Sequence, residues 1–289
     1  MKLKKALTLS IVIPVYNEEH HILDCLLAIQ RQTVLPYEVI VVDNNCTDDT
    51  IQIAKQFSFV KIVKQPKQGR GWARTAGFNT ATGDIIGRID ADSKIDSDWV
   101  ERALYLFTSD KTLMGVTGLG RTVLLPRVMF LRGTFWSRAY YWFVDATFRT
   151  LSMWGATMAL RRTTWLQVAS DVCNDDQIVH EDQDVSLCMA AKGLRIQQDN
   201  KLLITTSGQT YNYFPKLLQY YRLERSTHAR HKKLGTFDSK KLHRLSFWQV
   251  LPGRIYAVLP GLFIVTTSLL FWPLDHIMIL LGKEKSWLD

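Results

Sequence analysis

Residues 18–43, EEHHILDCLLAIQRQTVLPYEVIVVD, join two hydrophobic patterns that together set the fold. Between residues 18 and 31, apolar side chains recur three or four positions apart, which predicts a helix with acidic residues in its first turn. Residues 38–43 form a compact and mostly β-branched run, which predicts a buried strand. A helix therefore leads directly into a strand.

The same alternation continues on both sides of this stretch. The predicted elements are a strand over residues 7–14, a helix over 49–57 capped by Thr47, a strand over 59–63, a helix near 71–80 and a strand over 85–90. Strands that alternate with helices indicate an α/β fold with a largely parallel sheet, covered by helices on both faces. Ligands of such folds bind at the carboxyl ends of the strands, where Tyr16, Asp43 and Asp90 are expected.

Residues 83–93, GDIIGRIDADS, end the last of these strands with Asp90 and Asp92. Alternate side chains of a strand lie on one face, so the two carboxylates are expected to point the same way. Two convergent carboxylates suit Mg²⁺ or Mn²⁺, which keeps coordination sites open for phosphates. A diphosphate-bearing ligand is the first hypothesis, and two solvated loop carboxylates are the alternative.

Composition and missing motifs narrow the class of protein. The chain has 289 residues, 47% of them hydrophobic, which is enough for a substantial core. Its cysteines are far apart and form no C-x-x-C pair, so reduced thiols in the cytosol are expected rather than zinc ligands or disulfides. The glycines at 69 and 71 match only part of a dinucleotide fingerprint, with Arg74 at the third position, and no phosphate-binding P-loop is present.

An ordered set of motifs resembles one enzyme family. The donor-side motifs are IPVYNEE (13–19), VIVVDNNCTDDT (39–50), GRGWARTAGFNTATGD (69–84) and Asp90-Ala91-Asp92. They are followed by WGATMALRR (154–162) and HEDQDVSLCMAAKG (180–193). In order and spacing, this set resembles the family 2 inverting glycosyltransferases over about residues 7–225. The resemblance implies a GT-A type Rossmann-like sandwich with a mostly parallel central sheet.

The resemblance also implies a set of donor-binding residues. Tyr16 and Asp43 are expected to contact the base and ribose of a nucleoside diphosphate sugar, with Arg74 nearby. Asp90 would contact the ribose or a metal-bound water, and Asp92 would ligate the metal. Other positions of the same motifs assigned to the donor are Pro14, Asn17, Glu18 and Ala91. The alternatives are that Tyr16 and Asp43 only close turns, and that Arg74 is a solvated helix residue.

The motif at 180–193 supplies the candidate base. A neutral acceptor hydroxyl needs a group that takes its proton, and the resemblance makes that group Asp182. Direct attack opposite the leaving group would invert the anomeric carbon. Glu181, Trp154 and Gly155 are assigned to the acceptor side, with Glu181 also a possible member of the metal shell. Simple helix capping by Asp182 or Asp184 is the alternative.

A further match lies at Gln219 and Arg222, which resemble the Q-x-x-R-W motif of processive members. The arginine of that motif meets the diphosphate, and its tryptophan forms a floor for the acceptor sugar. Leu223 replaces the tryptophan here. Transfer of a single sugar is therefore expected rather than polymer synthesis, and Gln219 could equally lie on a helix surface.

The charge distribution indicates a membrane partner. The net charge is +9, and residues 222–244 hold eight basic and two acidic residues. Residues 255–274 carry no charge and are long enough to cross a bilayer as a helix, but prolines leave an interfacial or a buried segment as alternatives. Basic and aromatic residues between 121 and 149 suit a membrane interface or a sugar-binding groove. No nucleic-acid module accompanies the charge, so nucleic acid is not expected as a partner.

These observations predict a metal-dependent inverting glycosyltransferase, specifically a hexosyltransferase, on the cytoplasmic face of the membrane. Its cofactor would be Mg²⁺ or Mn²⁺, its donor a nucleoside diphosphate sugar and its acceptor a lipid-linked or cell-envelope glycan. Residues 1–222 would form the catalytic domain, with a donor half (1–92) and an acceptor half (93–222). A basic amphipathic linker (223–254) and a hydrophobic, membrane-associated helical segment (255–289) would follow. A catalytically inactive nucleotide-sugar or membrane-binding module, and a nucleotidyltransferase, are the alternatives.

Overall fold

A computed structural model describes residues 6–122, 134, 137, 138, 141, 151–206 and 214–236. The hydrophobic segment at 255–289 and the linker beyond residue 236 lie outside the described residues. So does most of the aromatic and basic region between 121 and 149.

Eight strands and seven helices follow one another in the described parts of the chain. The strands are β1 (Leu9–Val15), β2 (Glu38–Asp43), β3 (Val60–Lys64), β4 (Ile85–Arg88), β5 (Ser93–Ile95), β6 (Leu113–Thr122), β7 (Met158–Arg161) and β8 (Arg195–Thr206). The helices are α1 (Ile22–Gln30), α2 (Thr50–Ala54), α3 (Arg70–Thr80), α4 (Trp99–Ser109), α5 (Arg162–Val168), α6 (Glu181–Ala191) and α7 (Phe214–Lys233). The alternation predicted for residues 7–90 is confirmed, with small shifts at the ends of the elements.

All eight strands join one sheet in the order β3-β2-β1-β4-β7-β6-β8-β5. The donor half, from β3 to β4, is parallel as predicted. β7 and β5 run against their neighbours, so the complete sheet is mixed, and six strands share one direction. The carboxyl ends of β1, β2 and β4 therefore meet at one edge, where the candidate site lies.

The sheet is buried on both faces, which explains why its central strands are apolar without alternation. On one face, Ile11 and Val41 pack with α1 and α4. On the other, Val12 and Val42 pack with α3, α5 and α6. Gly77 of α3 permits the close approach of that helix, because a Cβ there would lie 2.9 Å from Val42 Cγ2. The two layers hold the strand ends at fixed positions.

Two local expectations are wrong. Thr47 does not cap α2, because the helix begins only at Thr50 and Thr47 instead bonds to Asn17. The N-cap residue is Asp49, which makes no side-chain capping bond, while Asp48 Oδ1 accepts hydrogen bonds from the Thr50 amide and hydroxyl at 3.1 and 2.6 Å. Nor does the β4 strand continue to Asp90: it ends at Arg88, and the acidic residues lie in the turn that follows.

The basic region near residue 222 belongs to a continuous helix. α7 runs from Phe214 to Lys233 and so crosses the proposed boundary at 222/223; that division of the chain stays a prediction. Within the described residues, no helix combines the length and apolar character required to cross a membrane.

Candidate active site

The loops after β1 and β2 are bonded to each other. Asn17 accepts a hydrogen bond from the Thr47 amide at 2.8 Å, and its backbone adopts a left-handed conformation with φ of 54° that asparagine tolerates. The Glu18 amide donates to Thr50 Oγ1 at 2.7 Å. Tyr16, directly after β1, is 52% exposed. Pro14, within β1, is partly buried and pairs in register with Val42.

Asp43 ends β2 with one carboxylate oxygen already used. Its Oδ1 accepts a hydrogen bond from the Cys46 amide at 2.9 Å, so Asp43 does close the turn after β2. The Asp43 side chain nevertheless remains partly exposed. The next residue, Asn44, holds the loop before α3 through bonds to the Gln65 and Lys67 carbonyls and the Gly69 amide, each 2.8 Å long. Asp43 and this loop therefore form one ordered edge.

The D-x-D residues lie in a turn closed by a bond from the Ser93 amide to the Asp90 carbonyl at 3.0 Å. Asp90 keeps 38% of its side chain exposed, and Asp92 accepts a bond from the Thr206 hydroxyl at 3.2 Å. Ala91 is buried in the core, so its side chain is not presented to a ligand. The alternation of a strand thus does not orient the two carboxylates, and the turn does so instead.

Negative charge is concentrated around this turn. Burial raises the pKa of Glu18, and the carboxylates of Asp92 and Asp90 add to that increase, while His21 opposes it. Partial burial likewise raises the pKa of Asp90, with Arg88 opposing and Asp92 reinforcing the shift. A divalent cation would relieve this repulsion, and carboxylate oxygens are the ligands that Mg²⁺ and Mn²⁺ prefer.

One buried arginine connects the D-x-D turn to the candidate base. Arg88 donates from Nη2 to Asp90 at 3.0 Å and from Nη1 to Glu181 at 2.7 Å. The same Nη1 also donates to Asp182 Oδ1 in a short contact. The other oxygen of Asp182 accepts from the Gly155 amide at 2.7 Å. Asp182 therefore does not cap its helix: α6 begins after His180 with no side-chain capping bond.

The pKa values of the two acidic residues at the start of α6 are shifted in opposite directions. Burial raises the pKa of Asp182 well above its ordinary range, and Glu181 reinforces the shift although Arg88 opposes it. Burial acts on Glu181 in the same sense, yet Arg88 and Arg74 hold the pKa of Glu181 well below its usual value. A raised pKa makes the ionised form of Asp182 a stronger proton acceptor than Glu181, and a strong proton acceptor is what a general base requires.

Arg74 is fully buried, so it is not the solvated helix residue of the alternative interpretation. It donates to the Glu181 carbonyl at 2.8 Å and to Asn174 Oδ1 at 3.2 Å. In this position it has no exposed surface with which to touch a donor, and it supports Glu181 instead. Glu181 is itself 2% exposed and occupied by two arginines, so its carboxylate faces the protein rather than solvent.

The segment before β7 forms the wall next to Asp182. Residues Gly155–Thr157 make a single 3₁₀ turn, and the Trp154 amide donates to Thr117 Oγ1 at 3.0 Å. A Cβ on Gly155 would lie 2.6 Å from Asp182 Oδ1 and would also collide with Arg88. Glycine is therefore the residue that allows Arg88 and Asp182 to meet there. The Trp154 indole is partly buried and packs over Gly120.

Gln219 and Arg222 lie on α7 with exposed side chains. For Gln219, this placement agrees with the helix-surface interpretation. Leu223, at the position of the family tryptophan, is buried.

Asp184, Cys188 and His231 form a second buried cluster, which no motif in the sequence indicates. Their potential ligand atoms lie within 4.8 Å of one another. Among the residues that the structure describes, these three side chains are therefore close enough together to hold a metal ion. Asp184 Oδ1 already accepts from Arg230 at 2.7 Å and from His231 at 2.9 Å. Burial raises the pKa of Cys188 to about 12, so the thiol keeps its proton. We interpret the cluster as a hydrogen-bonded contact between α6 and α7.

The Arg88 cluster was also missed, although a signal existed. An arginine inside the apolar run IIGRI requires buried counter-charges, because an unpaired charge is not tolerated in a core. Its partners lie 93 and 94 positions away at Glu181 and Asp182, beyond the reach of local patterns.

Solved structures share this arrangement of elements. A mannosyltransferase from Pyrobaculum calidifontis, solved with GDP-Man and Mn²⁺, has a TM-score of 0.63 at 19% identity and covers 93% of this chain and 81% of its own. TarS of S. aureus, solved with UDP-GlcNAc, has a TM-score of 0.54 at 21% identity. The match covers 70% of this chain and 58% of the TarS chain. Likeness at such low identity concerns the fold alone.

Sequence comparison extends the likeness to the family level. The glycosyltransferase AglE of Haloferax volcanii is 38% identical over 102 residues, which are 33% of this chain and 34% of that protein. This chain therefore spans about a third of the length of that curated relative, and smaller shares of a pneumococcal glycosyltransferase and a Pasteurella chondroitin synthase. Residues 10–154, half of the 289, match the family description Glycosyl transferase family 2. The chain belongs to glycosyl transferase family 2.

Proposed function

We propose that this protein is a metal-dependent inverting glycosyltransferase that moves one hexose from a nucleoside diphosphate sugar to an acceptor hydroxyl. The observation that carries the proposal is the link between Asp182 and the D-x-D turn through Arg88. It puts a buried carboxyl of raised pKa beside the carboxylates that would face a diphosphate. This pairing of a proton acceptor with a diphosphate site is the minimum that direct sugar transfer requires.

The residues divide the reaction between them. Tyr16 and Asp43, at the ends of β1 and β2, would bind the nucleoside. Asp182 would accept the proton of the acceptor hydroxyl as its oxygen attacks the anomeric carbon. A single carboxyl base on the acceptor side supports one direct displacement, and hence inversion.

Asp90 and Asp92 would hold the metal, and the repulsion that they share with Glu18 supports a cation at this position. When bound, Mg²⁺ or Mn²⁺ would stabilise the negative charge that develops on the departing diphosphate. Two structural neighbours were solved with Mn²⁺. Arg222, on α7, would add a further positive charge to the donor site.

The acceptor and location rest on the sequence. Leu223 in place of an aromatic floor supports transfer of one sugar rather than polymerisation. The basic α7 and the uncharged residues 255–274 support a protein on the cytoplasmic face of a membrane, with a lipid-linked or cell-envelope glycan as acceptor.

A donor screen tests the proposal. The purified full chain is incubated with UDP-, GDP- and dTDP-sugars, Mn²⁺ or Mg²⁺ and lipid extracts, and products are followed by mass spectrometry. We expect one donor class to be consumed with a sugar-lipid product, and EDTA to stop the reaction. Failure to bind or consume any donor would refute the proposal. Release of pyrophosphate from a nucleoside triphosphate would instead identify a nucleotidyltransferase.

The role of Asp182 is tested by Asp182→Asn, with the exposed Asp171→Asn as control. Asp182→Asn should bind donor normally and lose transfer by about 10²-fold or more, because the amide cannot accept the proton. Asp171→Asn should retain the wild-type rate. Near-normal turnover of Asp182→Asn would remove this residue from the mechanism.

A further inference from the structure

Arg88 occupies an exceptional position for a strand residue. Its side chain is 3% exposed at the end of β4, yet it contacts carboxylates from two separate parts of the chain. Asp90 lies in the turn just after this strand, whereas Glu181 and Asp182 start α6. Arg88 thus links the D-x-D turn after β4 to α6, the helix that carries the proposed base.

The two sides of the contact use different nitrogens of one rigid group. Nη2 donates to Asp90 at 3.0 Å, while Nη1 donates to Glu181 at 2.7 Å and to Asp182. A guanidinium is planar, with its nitrogens held in a fixed fork. The separation between the Asp90 and Asp182 carboxylates is therefore limited by the width of that fork.

The surrounding residues keep the fork in place. Gly155 leaves room for the contact between Arg88 and Asp182, because any Cβ at that position would overlap both side chains. The Gly155 amide then fixes the second oxygen of Asp182 at 2.7 Å. Glu181 is also held from the other side by Arg74, whose Nη1 lies 3.5 Å from its carboxylate.

We propose that Arg88 is a positioning residue for sugar transfer, a spacer that sets the distance between the base Asp182 and the donor-side carboxylate Asp90. This inference rests on the proposed function. Transfer requires the acceptor oxygen, held by the base, and the anomeric carbon, held through the diphosphate, to lie in line. A displacement of about 1 Å between such groups costs on the order of 10²-fold in rate.

The proposal distinguishes the shape of Arg88 from its charge. Lysine keeps the positive charge but offers one ammonium in place of a fork, so it cannot hold Asp90 and Asp182 at a fixed separation. Arg88→Lys should therefore bind nucleotide but transfer slowly. A residue that served only to neutralise buried charge would tolerate lysine far better.

The test compares Arg88→Lys with Arg102→Lys. Arg102 makes a similar two-point contact with Asp199, at 3.2 and 2.6 Å, between α4 and β8. Binding of UDP and GDP with Mn²⁺ is measured by calorimetry, and kcat and KM by transfer from the donor that the wild type uses. For Arg88→Lys we expect nucleotide Kd within about threefold and kcat lower by about 10²-fold. Arg102→Lys should keep the wild-type kcat.

Each outcome decides the question. If Arg88→Lys transfers at the wild-type rate, the spacer role is wrong while the proposed function stands. If Arg88→Lys loses kcat and nucleotide binding together, Arg88 acts on donor binding and the inference is again wrong. If Arg88→Lys does not fold, the double variant Arg88→Met/Glu181→Leu is used instead, because it removes one buried charge of each sign. This double variant should still transfer sugar about 10²-fold more slowly than the wild type. A wild-type rate would overturn the inference. If the wild type transfers no sugar at all, the proposed function fails, and this inference with it.

Discussion

His231 of α7 and Asp184 of α6 form a buried pair, with His231 Nε2 2.9 Å from Asp184 Oδ1. Arg230 shares the same carboxylate oxygen, and the Cys173 amide takes the other at 2.7 Å. Asp184 lies two residues after Asp182, so the contact joins α7 to the helix that begins with the proposed base. Asp184 therefore helps to hold α7 next to the site, together with Thr227, whose hydroxyl accepts from the His180 amide at 2.8 Å.

Asp184→Asn is expected to destabilise this contact. The amide cannot balance the charge of Arg230, and removal of one partner from a buried ionic cluster costs about 3 kcal/mol or more. Urea unfolding measures the loss, and hydrogen exchange across α7 (Phe214–Lys233) should increase. The control is Asp24→Asn, which removes an exposed pair with Lys94 and should cost less than about 1 kcal/mol. Equal stability of the two variants would show that the contact of Asp184 with His231 and Arg230 does not stabilise the fold.

How far sequence alone could go depends on the distance between interacting residues. The elements of the donor half were predictable because helix and strand periodicity are local, and even the ends of β2 were correct. The turn at Asp90 was missed because a strand pattern does not show where hydrogen bonding stops. The burial of Arg74 and the contact between Asp184 and His231 depend on packing of distant segments, which no local pattern contains.

The glycine at position 155 provides a direct test of crowding in the site. In Gly155→Ala the new Cβ would overlap Asp182 and Arg88, so overpacking should lower the unfolding free energy by about 1–3 kcal/mol. Because the overlap displaces the proposed base, kcat for transfer should fall by about 10²-fold. Stopped-time transfer assays and thermal unfolding measure the two effects.

Gly83→Ala is the matched control for Gly155→Ala. Its Cβ would lie 2.6 Å from Ser10 Oγ, in the loop just before β4 and away from Asp182. It should therefore lose comparable stability and keep its turnover. If both variants lose turnover in proportion to stability, crowding at Gly155 has no specific effect on the site.

His180 makes stability depend on pH. Burial lowers the pKa of His180 to about 4 from an ordinary value of 6.5, with Arg70 and Arg88 acting in the same direction and Glu181 against it. As the pH falls through 6.5, His180 becomes protonated in the unfolded chain but stays neutral in the folded chain. The free energy of unfolding therefore decreases. The loss is complete near pH 4 and amounts to at most about 3 kcal/mol.

The change His180→Asn isolates this contribution from that of other titrating groups. The unfolding free energy of His180→Asn, relative to wild type, should rise steadily as urea titrations move from pH 7 to pH 4. His20→Asn, at a side chain that is 84% exposed, is the control. A difference between His180→Asn and wild type that stays constant over this range would show that His180 is protonated equally in both states.

The exposed face of α7 gives the membrane proposal a quantitative test. Arg225, Lys232 and Lys233 are exposed there, while the docked face buries Leu223, Thr227 and His231. Each basic residue near an anionic surface contributes about 1 kcal/mol, so changing all three to Gln should weaken partition onto phosphatidylserine vesicles by about 10²-fold. Lipid titrations followed by sedimentation measure the partition, with neutral vesicles as reference.

The control changes the exposed Lys61, Lys64 and Lys111 to Gln, which removes the same charge from another part of the surface and should weaken partition far less. Equal loss in both triple variants would indicate attraction by net charge alone, and no loss in either would exclude α7 as the lipid-binding surface.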